Sequence, residues 1–260
     1  MLLAVDVGNS NLTSGIFRGS ELTAHWRLKT DPEQTIDGWG IFFRNLLSLG
    51  GFTREEMDGI VISSVAPRLD ESLRVMAEQY FRLSPLFIDA DLDTGLRIAI
   101  DNPSELGADR IANSAAAWAR YGGPVVIVDF GTAINFDVVS GQGEYLGGVL
   151  CPGLTTASEA LFAKAAKLPQ IRLRKPETVI GHGTVPALES GMYFGALGQI
   201  DGILSGISEE LGSTPRVIAT GGQALDLAQD APRIDEVNEH LTLEGLRLIW
   251  EKNIREKNRT

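Results

Sequence analysis

At 260 residues, with 43% hydrophobic and 22% charged residues, the chain has the length for one or two domains with a sizeable core and the composition of an ordinary globular protein. A formal charge of −11 leaves no basic excess to exchange for counterions, which opposes non-specific adhesion to nucleic acid or an anionic membrane. The single cysteine, Cys151, excludes an intrachain disulfide. No apolar run approaches membrane-spanning length, and Met1–Asp6 lacks the basic start of a signal peptide, so a cytoplasmic protein is expected.

The chain opens on Leu2-Leu3-Ala4-Val5-Asp6-Val7-Gly8-Asn9-Ser10-Asn11, an apolar strand that delivers an aspartate into a glycine turn. Two further strand-like runs follow, Asn11–Phe17 and Glu21–Leu28, separated by Arg18-Gly19-Ser20. The same design returns at Val125-Val126-Ile127-Val128-Asp129-Phe130-Gly131-Thr132-Ala133, followed by runs at Ala133–Val139 and Tyr145–Leu150. A strand ending in an Asp-Gly turn is common as plain structure. Repetition of the whole strand, turn, strand, hairpin, strand sequence points instead to an internal duplication with the two aspartates facing one cleft. Glycine lets backbone N–H groups approach an anion, and the carboxylate can hold a cation beside it, a layout for phosphate and metal.

Between the copies, helical spacing is predicted over Thr35–Leu49 and Asp70–Phe81, with short strands at Gly59–Ser63 and Pro85–Ile88. Asp89, Asp91 and Asp93 alternate as in a calcium loop, but the glycine and terminal glutamate such a loop needs are missing, so a solvated acidic turn is expected. Pro103 and Ser104 offer a helix start, and Gly107-Ala108-Asp109-Arg110 lies ahead of or inside a helix running through Ile111–Tyr121. Adjacent on a helix, Asp109 and Arg110 point in different directions, so each needs an outside partner. Either they are a solvated acid and a salt-bridged base, or Asp109 takes a proton from a substrate hydroxyl while Arg110 holds an anion.

After the second meander an Ala-rich helix is predicted over Gly153–Lys167, closed by Leu168-Pro169, with loop over Gln170–Gly181. Lys164, Lys167, Arg172, Arg174 and Lys175 make this the most basic part of the chain, either solvated or raising the potential for a phosphorylated ligand. A long helix from Thr184 to Leu211 carries Gly191, Gly195, Gly198 and Gly202 on one stripe, for which close core packing is expected. Arg216–Ala219 is a strand that turns at Thr220-Gly221-Gly222-Gln223-Ala224 into a helix, where open N–H groups would suit an anion. Leu241–Asn258 is an amphipathic helix. Cys151, with no His or Asn near it in sequence, reads as a packed apolar residue.

These pieces together resemble the acetate kinase, sugar kinase, Hsp70 and actin superfamily, and more closely the type III pantothenate kinases. The resemblance runs through Asp6-Val7-Gly8-Asn9, Asp101-Asn102-Pro103, Gly107-Ala108-Asp109-Arg110, Asp129-Phe130-Gly131-Thr132-Ala133, Gly147-Gly148, Ala165-Ala166-Lys167-Leu168-Pro169, Ala219-Thr220-Gly221-Gly222 and Leu241–Leu246. It implies an α/β, duplicated actin-like (ribonuclease H-like) fold of two mixed sheets flanked by helices, with halves at 1–115 and 116–260, the C-terminal helix belonging to the second. It implies phosphorylation of pantothenate by ATP, the first step of coenzyme A synthesis, by a cytoplasmic homodimer without nucleic-acid or membrane partners.

Carried over by position, Asp6, Val7, Gly8, Asn9, Ser10, Asn11, Leu12, Thr13 and Thr132 would meet ATP, Asp6 with a divalent cation, Mg2+. Gly107, Ala108, Asp109, Arg110 and Thr184 would hold pantothenate, with Asp109 as base, and Asp129 would bind K+ or NH4+. The sequence departs from the family pattern at Ser10 for threonine, Ile100 for tyrosine, Ile134-Asn135 for Thr-Thr and His182-Gly183 for Lys-Asn. The alternative is a catalytically weak nucleotide-binding relative with a regulatory or accessory role.

Overall fold

The opening run forms β1 (Leu2–Val7), which pairs antiparallel with β2 (Asn11–Arg18); β2 in turn pairs with β3 (Glu21–Lys29). On its other edge β1 pairs in parallel with β4 (Gly59–Ser64), followed by β5 (Leu86–Phe87), giving the order β3-β2-β1-β4-β5. In this computed structural model, which describes residues 1–164 and 174–257, the chain divides into two units. One is Met1–Ala119 together with the stretch from His240 onward; the other is Arg120–Glu239.

In the first unit, Leu3, Val5 and Val7 share a face with Leu12, Ile16, Ile60 and Ile62 and form a core with α1 (Ile36–Leu49) and α2 (Pro67–Met76). α1 begins where predicted, because Thr35 Oγ1 accepts the Gly38 N–H at 3.1 Å. α2 starts three residues before the predicted Asp70 and continues as a π turn over Ala77–Phe81, ending at Arg82 with φ +60. Pro67, suited to a first helical turn, explains the early start. At Asp89–Gly95 the carboxylates accept backbone N–H groups two residues on, Asp91 at 3.0 Å and Gly95 at 2.9 Å, as a solvated acidic turn should. A two-residue strand, β6 (Arg97–Ile98), and a 3-10 turn over Pro103–Glu105 precede α3 (Ala108–Tyr121), so the proline starts that turn and not the helix.

The second unit repeats the plan. β7 (Val125–Phe130), β8 (Ala133–Val139) and β9 (Glu144–Pro152) form the meander, and β10 (Arg216–Gly221) and β11 (Glu236–Val237) extend β7 in parallel. Its strands run β11-β10-β7-β8-β9, the order of the first sheet read from the other edge. The duplication inferred from sequence is therefore present in the strand pairing itself. Helices α4 (Leu154–Lys164), α5 (Thr184–Leu211) and the short α6 (Ala224–Ala228) complete the unit. The predicted extension of α4 to Lys167, and Leu168-Pro169, lie outside the described residues.

Several expectations change here. α5 has the predicted bounds, but its buried face is Tyr193, Ala196, Ile200 and Leu204, while Gly191, Gly195, Gly198 and Gly202 are exposed with no atom of another described element within 4 Å. The stripe is an open face, not core packing. Of the basic segment, Lys167 and Arg172 lie outside the described residues. Arg174 forms a two-pronged pair with Glu189 at 2.8 and 3.1 Å, and Lys175 pairs with Asp230 at 2.6 Å. These charges are spent on neighbouring acids, and the Lys175 ammonium, with the Tyr193 hydroxyl, holds the Asp230 carboxyl below the usual carboxylate range.

The division at 1–115 and 116–260 also shifts, because α7 (Leu241–Lys257) packs on the first unit. Its Leu241, Leu243, Leu246 and Ile249 are buried, each worth roughly 1.5–3 kcal/mol of burial. Gly15 and Gly59 on the second face of the first sheet leave the space that Leu243 and Trp250 occupy. Thr242 Oγ1 donates to Asn113 Oδ1 at 2.7 Å, tying α7 to α3. Among the described residues no helix is long and apolar enough to cross a membrane.

A Cβ on Gly245 would lie 1.9 Å from the Ala112 carbonyl oxygen, a backbone atom that cannot rotate away. Gly245→Ala is expected to push α7 off α3 and cost at least ~2 kcal/mol, beyond the ordinary overpacking of a side-chain contact. Urea unfolding of the variant checks this; an unchanged midpoint would remove the contact as a stability determinant.

Candidate active site

Asp6 is the penultimate residue of β1. Its register partners are Thr13 on β2 and Ser63 on β4, so three oxygen-bearing side chains share one face of the sheet, opposite the Leu3-Val5-Val7 core. Beyond it the chain turns tightly: the Gly8 N–H donates to the Asn11 carbonyl at 3.0 Å, leaving Asn9, Ser10 and Asn11 exposed. Thr30, at the end of β3, braces this turn twice. Its Oγ1 donates to the Gly8 carbonyl at 2.7 Å and its N–H donates to the Ser10 carbonyl at 3.1 Å. Sequence periodicity could not single out Thr30, because its role comes from the register of the third strand.

The segment Gly107–Arg110 lies at the start of α3, and the same unit carries it to the end of β1. The Val65 N–H, just past β4, donates to the Val7 carbonyl at 3.0 Å, and Val65 Cγ1 is 3.4 Å from where a Gly107 Cβ would stand. The turn after Asp6 and the Gly107–Arg110 segment thus converge on Val65, although they are about a hundred residues apart in the chain.

Asp109 sits in the first turn of α3, where the helix dipole favours an anion. Its Oδ1 accepts the backbone N–H of Arg110 at 2.8 Å. That oxygen would be 2.6 Å from a Cβ at position 107, so only glycine leaves it room. Burial pushes the Asp109 carboxyl above the usual carboxylate range; the Arg110 N–H and the Arg110 charge pull it part of the way back. Asp109 therefore draws on the backbone N–H of its own neighbour, a partner that side-chain directions on a helix do not reveal.

In the second unit Asp129 holds the place on β7 that Asp6 holds on β1. Its register partners are Asn135 on β8 and Thr220 on β10. The Gly131 N–H donates to the Ala133 carbonyl at 2.9 Å, and the Thr132 carbonyl accepts from Gly153 N–H at 3.0 Å and Thr156 Oγ1 at 2.8 Å, leaving the Thr132 side chain in an exposed turn. Gly221 has φ +91, and a Cβ there would stand 2.5 Å from Asp129 Oδ1 and 2.6 Å from the Phe130 backbone, so only glycine lets β10 pack this closely against the carboxylate. The Gly222 N–H donates to the Phe130 carbonyl at 3.1 Å. It continues the strand ladder and is not an open donor for an anion. Thr184 opens α5 and is exposed. Burial raises the Cys151 thiol, consistent with a packed, unreactive side chain. Among the described residues no three His, Cys, Asp or Glu side chains gather as a ready-made metal cage.

Comparison with known proteins identifies the relatives of this arrangement. The family model described as type III pantothenate kinase matches residues 2–206. A type III pantothenate kinase of Solibacter usitatus is 49% identical over 253 residues, covering 97% of both chains. One of Koribacter versatilis is 47% identical over 263 residues, covering 97% of this chain and 96% of its own. Among solved structures, a conserved putative Baf family transcriptional activator from Campylobacter jejuni superposes with a TM-score of 0.63 at 23% identity, covering 97% of this chain and 99% of that one. A ROK hexokinase from Thermus thermophilus superposes with a TM-score of 0.51 at 14% identity over 98% and 99% of the two chains. Both structural likenesses concern the duplicated α/β fold. With the family model spanning most of its length and near-half identity end to end, the chain belongs to the type III pantothenate kinase family.

Proposed function

We propose that this enzyme transfers the γ-phosphate of ATP to the primary hydroxyl of pantothenate, yielding ADP and 4'-phosphopantothenate, the first step of coenzyme A synthesis. The observation that carries the assignment of roles is the convergence of Gly107, two residues before Asp109, and the turn after Asp6 on Val65, which supports pairing an acceptor segment with a phosphate loop. Gly107, Ala108 and Arg110, with Thr184, bind pantothenate; Asp109 accepts the hydroxyl proton as the oxygen attacks phosphorus. Residues Asp6 to Thr13 and Thr132 bind ATP. Phosphoryl transfer asks little covalent chemistry of a protein, so in-line placement and charge neutralisation dominate.

Asp6, Thr13 and Ser63 offer hard oxygen donors, and Ser63 Oγ is buried with no hydrogen-bond partner among the described residues, which fits a divalent ion or its water. Mg2+ bound there with ATP would screen the triphosphate. Asp129, flanked by the oxygen-bearing side chains of Asn135 and Thr220, fits a monovalent cation, K+ or NH4+. The working form is a cytoplasmic homodimer. Support comes from the exposed glycine stripe of α5 and from Leu146, Val149 and Leu150, exposed on β9 of the same unit. The net charge of −11 supports the absence of a nucleic-acid partner. A regulatory, catalytically weak role is not favoured, since the full-length relatives are kinases by name.

Asp109→Asn is expected to lower kcat by about 10²–10⁴-fold, the usual worth of a positioned base. ADP release coupled to mass detection of phosphorylated pantothenate measures it. Full activity in the variant removes Asp109 as base, and no turnover in the wild type removes the kinase reading.

Because burial raises the Asp109 carboxyl, its charged form is disfavoured in the folded state. The acidic limb of kcat/KM against pH should therefore fall above the unperturbed aspartate value of ~3.9. By linkage, the contribution of Asp109 to stability is fully present below that value and is lost as pH rises through the higher folded-state value. Asp109→Asn should consequently unfold at a higher temperature than wild type at pH 8, with the gain vanishing in acid. A lower unfolding temperature at pH 8 would contradict the assigned burial cost.

A further inference from the structure

Asn135 stands directly across the β7–β8 ladder from Asp129, on the face of the sheet opposite the Ile134-Phe136-Val138 core. Directly opposed residues hold their Cβ atoms roughly 4.5–5.5 Å apart, close enough for two short side chains to bring oxygens to one point. The Asn135 Oδ1 atom is buried and accepts no hydrogen bond from any described residue. Buried amide oxygens nearly always find a donor, a water or an ion. The neighbouring acid on this face, Asp137, accepts the Tyr145 hydroxyl at 2.6 Å, and a carboxylate, an acceptor itself, offers the Asn135 oxygen no donor. On the other side of Asp129, Gly221 withholds a Cβ that would stand 2.5 Å from Oδ1. The surroundings of Asp129 thus combine a negative charge, a neutral oxygen without a donor, and an absent side chain.

Building on the cation role of Asp129 put forward above, we infer that Asn135 supplies a neutral oxygen ligand to that cation and sets which monovalent ion the site prefers. One carboxylate balances one positive charge. A carboxamide adds coordination without the second charge that would favour a divalent ion. Its oxygen also removes part of the hydration shell that an ion would otherwise retain, and ions that shed water easily gain most from this.

Thermal unfolding of the full-length enzyme against KCl, NaCl and NH4Cl, with ionic strength held by choline chloride, tests the assignment without relying on turnover. The wild type is expected to show a saturable rise in unfolding temperature with KCl. Asn135→Leu, of similar size but without the oxygen, should raise the half-saturating KCl at least tenfold and be no less stable than wild type in choline alone. Asn135→Thr, which is smaller and keeps one oxygen, should change the ratio of half-saturating KCl to NaCl at least threefold and serves if the leucine variant does not fold. An unchanged half-saturation in Asn135→Leu, or an unchanged ratio in Asn135→Thr, overturns the role of Asn135. When Asp129→Asn abolishes the rise in that same experiment, the cation reading of Asp129 survives. If Asp129→Asn keeps the wild-type rise, or the wild type shows none, the cation site fails and this inference fails with it.

Discussion

One backbone hydrogen bond, made twice, sets up everything the site depends on. In the first unit the Val65 N–H reaches the Val7 carbonyl at 3.0 Å; in the second the Gly222 N–H reaches the Phe130 carbonyl at 3.1 Å. Each closes the parallel ladder at the residue after the aspartate, so the carboxylate is held one residue inside the paired strand end while the chain beyond turns away. A strand edge left open there would fray, and the aspartate would lose its fixed direction relative to the turn. In the first unit the same bond also holds Val65, against which Gly107 packs, so strand closure and placement of the Gly107–Arg110 segment share one cause.

Asp109 illustrates a cost that accompanies this placement. A carboxylate taken partly out of water is destabilised, and at this site burial outweighs the help from the Arg110 charge and N–H. A carboxylate so situated binds a proton more readily than one in solvent, which suits the role of base proposed for it. The helix N-terminus keeps the cost within bounds. Neither the dipole nor the peptide N–H depends on an opposing side chain, so the carboxylate keeps its lone pairs available to a substrate.

Much of this was legible in the chain because the relevant signals are local. The two apolar runs ending in Asp-x-Gly, the hairpins after them, the Thr35 cap and both ends of the α5 helix are fixed by period, turn chemistry and capping within a dozen residues. What could not be read is tertiary. The amphipathic pattern of Leu241–Lys257 states that one face must be buried but not on which sheet; the decision rests with Gly15 and Gly59, more than 180 residues away. The glycine stripe of α5 has the correct spacing for close packing, yet the helix turns its other face inward, because Tyr193, Ile200 and Leu204 bury more apolar area than glycine can. Arg174 and Lys175 read as a basic patch because their partners, Glu189 and Asp230, are distant in sequence. Thr30 was invisible for the same reason.

The duplication also gives a reason why two such similar turns, under the cation roles proposed for them, would take different ions. At matched positions the first unit places Thr13 and Ser63 beside Asp6, whereas the second places Asn135 and Thr220 beside Asp129. The backbone geometry is shared, so the difference lies in the oxygens. Hydroxyls can donate as well as accept, and therefore suit a divalent ion that keeps its water and needs partners for that water. The carboxamide oxygen of Asn135 accepts only, and across the ladder from the Asp129 carboxylate it suits an ion that gives water up. A duplicated scaffold with fixed strand register thus needs only side-chain changes across one ladder to separate the two tasks, because register partners on the same face are brought within reach without further change to the fold.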